Sequence, residues 1–565
     1  MTDTRERRPA RPRLGAAVSW LHWATLAGAF VVLVWLNRHH WFVTDEWNAL
    51  ADRRLIGDAT HPGIWDPHNE HWSTIPVLVY RGLFTLFGAR TYLPYVVVLL
   101  LVHLTVVHLL WRVMLRVGVE PLLATVLCGV FAVLGAASDD LFLAWQWQLV
   151  GPLAFGLAAL LLTPRRGGWQ RRDAVVWLLL VLGLMCSGVA ITMTAVVGLV
   201  VLLRRGWQLA IATVAVPAAA YGLWYVTYGH KAVDTSEPLG TALRKAPAYI
   251  WQGYTGALDA TIGFEGVATA VIVALGVWLF LRAHPTQEPW PIPVAMAGGA
   301  ALFLFLTDLR RSGLGIDQAS TSRYVYVTIA LILPVAALAL DALIPRGAPR
   351  LLALAALSGL LLLVQIPLLR DGAAEWANLE QPFKHRIMAT AQLAREHARI
   401  LSPVPVPVYI PNLTVDKIAA LDRDEKLPGN VRVTAADVRD ARNYLQLLVS
   451  ADDPGAPQAP ATVTQPLGAT MAAGPGTDCV TVTPTMDAPS VLIEPSASTS
   501  FEVTTGQSGA ISVTFEDADG RLAPYRTFPA VHGVGQFVRT SAGRERISLV
   551  LPGNSPTQVC GVTPG

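Results

Sequence analysis

A run of 23 mostly apolar residues, Leu14 to Leu36, opens a series that leaves this chain few possible folds. Ten further apolar runs follow at roughly residues 93–115, 121–137, 147–163, 174–187, 188–203, 208–228, 262–282, 291–307, 324–344 and 351–369. An α-helix rises about 1.5 Å per residue, so about 20 apolar residues cross a hydrocarbon core of about 30 Å. The predicted class is a polytopic α-helical membrane protein with about eleven transmembrane helices. Of 565 residues, 53% are hydrophobic and 15% charged. Soluble domains carry about 25% charged residues, so most of this chain belongs in lipid. A net charge of +3 is too small to imply a nucleic-acid partner.

Charge fixes the expected orientation. Residues 1–13 hold five arginines and two prolines and read as a cytoplasmic tail. The first apolar run is too long for a cleaved signal peptide and no small-residue cleavage site follows it, so it is expected to remain as an anchor. Arginines gather on the cytoplasmic side of membrane proteins. Arg165, Arg166, Arg171 and Arg172 precede the stretch 174–203, and Arg204 and Arg205 follow it. Keeping both clusters inside requires that stretch to turn back near Cys186-Ser187-Gly188 as a helical hairpin. Counting on, Arg112, Arg116, Arg282, Arg346 and Arg350 also fall inside. The outer loops are then residues 37–73, 138–146, 229–261 and 308–323, with everything after 370 outside as well.

Beyond residue 370 the composition changes. Residues 371–450 read as a mixed α/β segment and 451–477, rich in Asp, Pro, Ala and Gly, as a linker. Residues 478–565 carry short alternating runs such as Ile511-Ser512-Val513-Thr514-Phe515, separated by turn residues, which predicts a small β-sandwich. Cys479 and Cys560 bracket it. A disulfide joining its first and last strands suits an extracytoplasmic compartment, and two free buried thiols are the alternative. The sandwich is expected to bind acceptor carbohydrate, on its architecture and position alone.

The most polar stretch of the first 370 residues is the first outer loop. Six acidic residues, three histidines and four tryptophans lie between Trp41 and Trp72. Asp45-Glu46 can supply a general base, because a carboxylate at a partly dry interface has its pKa raised towards the working range. Such a pair can also hold a metal–phosphate unit, or belong to an ordinary interfacial loop anchored by Trp41 and Trp47. Further on come His68, Glu70 and His71, before a short amphipathic run predicted to lie along the surface. Imidazoles there bind phosphate oxygens when protonated or a metal when neutral. Their spacing is not that of a zinc protease. At the last outer loop, Arg323 and Tyr324 follow Ser320-Thr321-Ser322, with Arg310 and Arg311 in the same loop. Guanidiniums and hydroxyls together suit a lipid phosphate, whereas a snorkelling arginine in a tyrosine belt is the plainer reading.

This layout resembles the GT-C superfamily of membrane glycosyltransferases over residues 14 to 370. The acidic pair directly after the first helix, the His68-Asn69-Glu70-His71 stretch and the surface helix carry the resemblance. It implies a glycosyltransferase that takes a sugar from a polyprenyl-phosphate donor. The acceptor would be a cell-envelope glycan, lipid or protein at the outer face of a bacterial plasma membrane. The C-terminal domain is added as in bacterial cell-envelope arabinosyl- and mannosyltransferases. Asp45 or Glu46 would be the catalytic base, with Asp45 favoured as first of the pair. Asp139 and Asp140 resemble the second acidic motif of oligosaccharyl-transfer relatives, where acids help bind metal or carrier phosphate; a solvated turn is the alternative. Gln146 and Gln148 suit sugar hydroxyls at a helix mouth. Any cation would be hard, Mg²⁺ or Mn²⁺, held by carboxylates such as Asp45 and Glu46 together with phosphate. A flippase for lipid-linked sugars, or a non-catalytic envelope protein presenting its C-terminal domain, competes with the enzyme. Polar residues at mid-membrane are few, chiefly His103 and His108, while acids gather in the outer loops, and that favours the enzyme.

Overall fold

The computed structural model describes residues 12–54, 62–232, 238–345, 347–452, 461–516, 519–541 and 545–565. The tail at 1–11, Arg346 and the centre of the linker at 453–460 lie outside the described residues. The chain divides into two compact units. The first is Met1–His40, Asp52–Leu86 and Tyr92–Asn378; the second is Trp41–Ala51, Phe87–Thr91 and Leu379–Gly565.

The first unit is helical: α1 Pro12–Leu36, α2 Thr74–Phe87, α3 Leu93–Arg116, α4 Pro121–Ala132, α5 Asp139–Phe142, α6 Trp147–Leu162, α7 Arg171–Leu184 and α8 Val189–Arg205. There follow α9 Trp207–Thr227, α10 Leu239–Ile262, α11 Val267–Arg282, α12 Pro291–Arg311, α13 Ser322–Leu343 and α14 Ala348–Arg395. All eleven apolar runs are helical, but fewer than eleven are long enough to span. Among the described residues seven helices pass by length and composition, or eight if α10 and α11, bent by 113° at their junction, count as one span. The expected eleven is corrected because α4, α7, α8 and α11 have 12, 14, 17 and 16 residues. Helices of that size reach only about 18–26 Å.

A second correction concerns 229–261, expected as an outer loop. Its charged residues mask an apolar, small-residue stripe in which Ala242, Ala246, Tyr249, Gly253 and Ala257 are buried. This stripe lets α10 pack on α12: a Cβ on Gly253 would lie 2.3 Å from Leu304.

The hairpin at 174–203 is present. Arg205 ends α8 and grips Asp173, in the first turn of α7, with both guanidinium nitrogens at 2.6 and 2.9 Å. The two helices therefore run antiparallel. Other arginines tie helix ends at the same end of the bundle. Arg116 donates to Leu161 O and to Thr163 O (2.8 Å for the latter), and Arg204 pairs with Glu288 at 2.7 Å. Arg350 pairs with Asp341 at 2.5 Å and with Glu120 at 3.6 Å.

In the second unit the last turns of α14 pack with α15 Val415–Arg423 and α16 Ala435–Leu445 around Ala389, Leu393, Val415, Ala441 and Leu445. The β-sandwich follows as two six-stranded sheets. One runs Leu447–Ser450, Gly535–Thr540, Thr499–Thr505, Thr557–Cys560, Cys479–Pro484, Ala469–Ala473. The other runs Val562–Pro564, Ala461–Leu467, Ser490–Pro495, Arg546–Val550, Gly509–Glu516, Arg526–Ala530. Period-two burial of Phe501, Val503, Ile511, Val513 and Phe515 builds the core between them. Asn443 locks α16 to a sheet, donating to Thr514 Oγ1 and accepting from Phe515 N, both at 2.9 Å. The sandwich is larger than expected. Of residues 451–477, expected to be a linker, Ala461–Leu467 and Ala469–Ala473 are strands. The disulfide Cys479–Cys560 is present. It joins directly opposed residues of two neighbouring strands rather than the first and last strands.

Candidate active site

The loop carrying His68, Glu70 and His71 is built rather than floppy. Arg53 staples it by donating to Gly63 O, Asp66 O and Pro67 O at 3.0, 2.6 and 2.6 Å. His68 and His71 exchange backbone hydrogen bonds of 3.0 Å across a tight turn with Asn69 at φ 52°, a left-handed conformation that asparagine tolerates. Trp72 stacks on Trp224 at 5.3 Å, and the Trp224 indole donates to Trp65 O at 2.8 Å.

Glu70 at the turn's tip accepts from Arg311 Nη2 at 2.6 Å, with His71 Nε2 3.9 Å away. Burial acts to raise the Glu70 carboxyl, but His71, Arg311 and Arg310 overturn that and hold it below the ordinary glutamate value. Burial holds His71 below its usual value against the pull of Glu70, with His68, Arg311 and Arg310 adding to the depression. Arg310 and Arg311 are not loop residues, as expected, but the last turn of α12. Tyr324, at the start of α13, lies close enough to Arg311 to feel its charge.

Ser138, Asp139 and Asp140 do not form a solvated turn. The stretch 135–146 is a chain of short helices. Gln365 accepts from Ala136 N at 3.0 Å, Asn37 donates to Leu141 O at 3.1 Å, and Tyr92 Oη accepts from Ala144 N at 2.6 Å. Asp139 N donates to Ser322 Oγ at 3.0 Å, and its carboxylate accepts from Trp376 Nε1 at 3.2 Å. Arg323 Nε lies 3.7 Å from the other carboxylate oxygen, with 46% of its side chain exposed. Gln146 and Gln148 are buried, and His68 meets Trp145 edge-on at 5.1 Å.

Asp140 is fully buried, and neither carboxylate oxygen has a hydrogen-bond partner among the described residues. Burial first, and the Asp139 charge second, push its pKa well above the ordinary aspartate value, with Arg323 opposing. The sign of the consequence follows. Asp140 keeps its proton in the fold and loses it near the usual value when unfolded, so between those two values the folded state binds more protons. Stability drawn from this group therefore falls as pH rises through that window. Asp140→Asn is expected to gain in thermal midpoint over the parent as pH rises from about 4 to about 8. Scanning fluorimetry of the purified protein checks it, and a constant difference across that range contradicts it.

Asp45 and Glu46 belong to the second unit. Glu46 is buried, and its carboxylate accepts from Val43 N at 2.9 Å, closing a turn in which Trp41, Phe42, Val43 and Trp47 are also buried. Trp41 is fixed there by Glu380, which accepts from Trp41 N at 2.9 Å, and by Ala89 O, 3.0 Å from its indole. Asp45 is half-buried and lines a cavity of about 270 Å³ with Thr44, Trp47, Asn48 and the segment 408–412. The local structure thus separates two acids that sequence left equivalent.

Among the described residues no group of three or more His, Cys, Asp or Glu is placed to hold a metal ion. Sequence reasoning missed Tyr249 of α10 and Trp376 of α14. Lys245 donates to Ser312 O at 3.2 Å, just beyond Arg311. The helical spacing of the small residues around Tyr249 was the available signal. No family model, no curated protein and no solved structure matches the chain.

Proposed function

We propose that this chain is a glycosyltransferase that moves a sugar from a polyprenyl-phosphate donor to a cell-envelope glycan, lipid or protein. The convergence of Arg310, Arg311 and Arg323 with Glu70 and Asp139 at helix ends is the observation that supports it most. These ends are opposite those tied by Arg116, Arg204, Arg205 and Arg350. We take the arginine-rich end as cytoplasmic and the opposite end as outer, in a bacterial plasma membrane.

Guanidiniums recognise phosphate with paired, charge-assisted hydrogen bonds. Arg311 is held by Glu70 and acts as a fixed positive charge. Arg323 is half-exposed and only loosely paired, so it can exchange Asp139 for a donor phosphate. In the reaction the acceptor oxygen bonds to the anomeric carbon as the bond to the carrier phosphate breaks. The acceptor proton passes to a carboxylate base, the role proposed for Asp45, and the electron pair leaves on the carrier phosphate. Glu46 keeps its structural hydrogen bond.

Arg323→Gln is expected to slow transfer about ten- to a hundredfold, the loss of charged hydrogen bonds together contributing about 1.5–3 kcal/mol. The loss is expected mostly as a raised KM for donor, measured with a radiolabelled lipid-linked sugar. A parental KM contradicts the phosphate role.

A lipid-linked-sugar transporter draws support from a separate observation. The α10–α11 pair is broken by 113°, and Pro152, Pro217, Pro247 and Pro334 lie inside helices. Broken helices are a mark of transporter sites. Movement of a fluorescent lipid-linked sugar across liposomes without covalent transfer would favour that function.

A further inference from the structure

At the arginine-rich end, a cavity of about 660 Å³ opens between the end of α3, the end of α6 and the start of α7. Five arginines line it, Arg112, Arg116, Arg165, Arg166 and Arg172, and no carboxylate does. Arg116 is engaged by the carbonyls that end α6. Among the described residues no acidic side chain pairs with the other four. Asp173, the nearest acid in sequence, is already held by Arg205. Like charges gathered within a Debye length of about 8 Å repel with little screening, so the cavity's complement is an anion.

The walls give the anion's other half. Leu115, Leu161 and Leu162 line the same cavity, Leu162 being 39% exposed. Both α3 and α6, the latter with its preceding turn, are long and apolar enough to cross a membrane, so their ends meet the bilayer surface. Trp169 beside the cavity is 59% exposed, as suits an interfacial indole. The volume lies within the range of sites for small molecules, about 300–1,000 Å³. Basic pockets between helices on the cytoplasmic side bind anionic headgroups.

We propose that this cavity is a binding site for the phosphate headgroup of an anionic phospholipid, separate from the candidate active site. The acyl chains lie against the leucines and the phosphate among Arg112, Arg165, Arg166 and Arg172.

The test uses the full chain in detergent and in nanodiscs of defined lipid. Native mass spectrometry counts retained phosphatidylglycerol, with phosphatidylcholine and inorganic phosphate as parallel probes. The parent is expected to retain phosphatidylglycerol selectively. Arg165→Gln with Arg172→Gln is expected to weaken retention about thirtyfold, at about fivefold per arginine. Arg171→Gln with Arg282→Gln removes the same charge away from the cavity and is expected to retain the lipid. Arg165→Lys with Arg172→Lys should retain most of the lipid and show that the fold survives. Equal loss in both double variants, or equal retention of phosphatidylcholine, overturns the site. Competition by inorganic phosphate at the same concentration as the lipid overturns the lipid as its ligand.

Discussion

Asp45→Asn is expected to lose about a hundred- to ten-thousandfold in sugar transfer, the usual contribution of a positioned general base. Its thermal midpoint should stay near the parent's. The asymmetry between Asp45 and Glu46 makes this sharp. Glu46 is buried and spends its carboxylate on Val43 N, whereas Asp45 is half-buried and faces a cavity. Glu46→Gln is therefore expected to keep most of the transfer rate while lowering stability, because a charge-assisted hydrogen bond becomes a weaker neutral one. Single-turnover transfer and thermal unfolding, measured on both variants, separate the roles. If Glu46→Gln is the inactive variant and Asp45→Asn turns over at the parental rate, the base is misassigned.

Replacing Cys479 and Cys560 together by serine should lower the stability of the second unit by about 2–4 kcal/mol. The bridge closes a separation of 81 residues, so its removal frees much of the sandwich in the unfolded state. For a domain of this size that is on the order of 10 °C in thermal midpoint. The paired strands Thr557–Cys560 and Cys479–Pro484 keep their ladder, so the native fold should form. Unfolding followed by the near-ultraviolet signal, with and without reductant, reads the effect. An unchanged midpoint in the double variant would mean that the ladder and the Phe501–Phe515 core suffice without the bridge.

The membrane class was legible because lipid imposes a single requirement, continuous apolar helix, and all eleven apolar runs are helical. Span number was not, since α4, α7, α8 and α11 end too soon, and hydropathy reads composition rather than where a helix stops. The hairpin was legible through charge, and Arg205 on Asp173 is its structural form. α10 was hidden because Arg244, Lys245, Gln252 and Asp259 dilute a stripe of small residues whose value lies in close packing, not hydropathy. Alternation announced the sandwich from Cys479 onward. It failed for Ala461–Leu467 and Ala469–Ala473, whose Pro, Gly and Ala content reads as linker.

At the candidate site the residue types were legible and the partnerships were not. Glu70 with Arg311, and Asp139 with Trp376 and Arg323, join segments 184 to 241 positions apart in the sequence, a distance no local pattern bridges. Asp140, which sequence offers either as part of an acidic ligand motif or as part of a solvated turn, is a buried acid.

The most direct measurement is transfer by the purified chain from a panel of radiolabelled polyprenyl-phosphate sugars to an envelope-glycan acceptor. Parent, Asp45→Asn and Arg323→Gln are compared side by side. Labelled glycan is expected from at least one donor with the parent, weakly with Arg323→Gln and barely with Asp45→Asn. No labelled product from any donor, together with movement of intact donor across a liposome bilayer, would contradict a transferase.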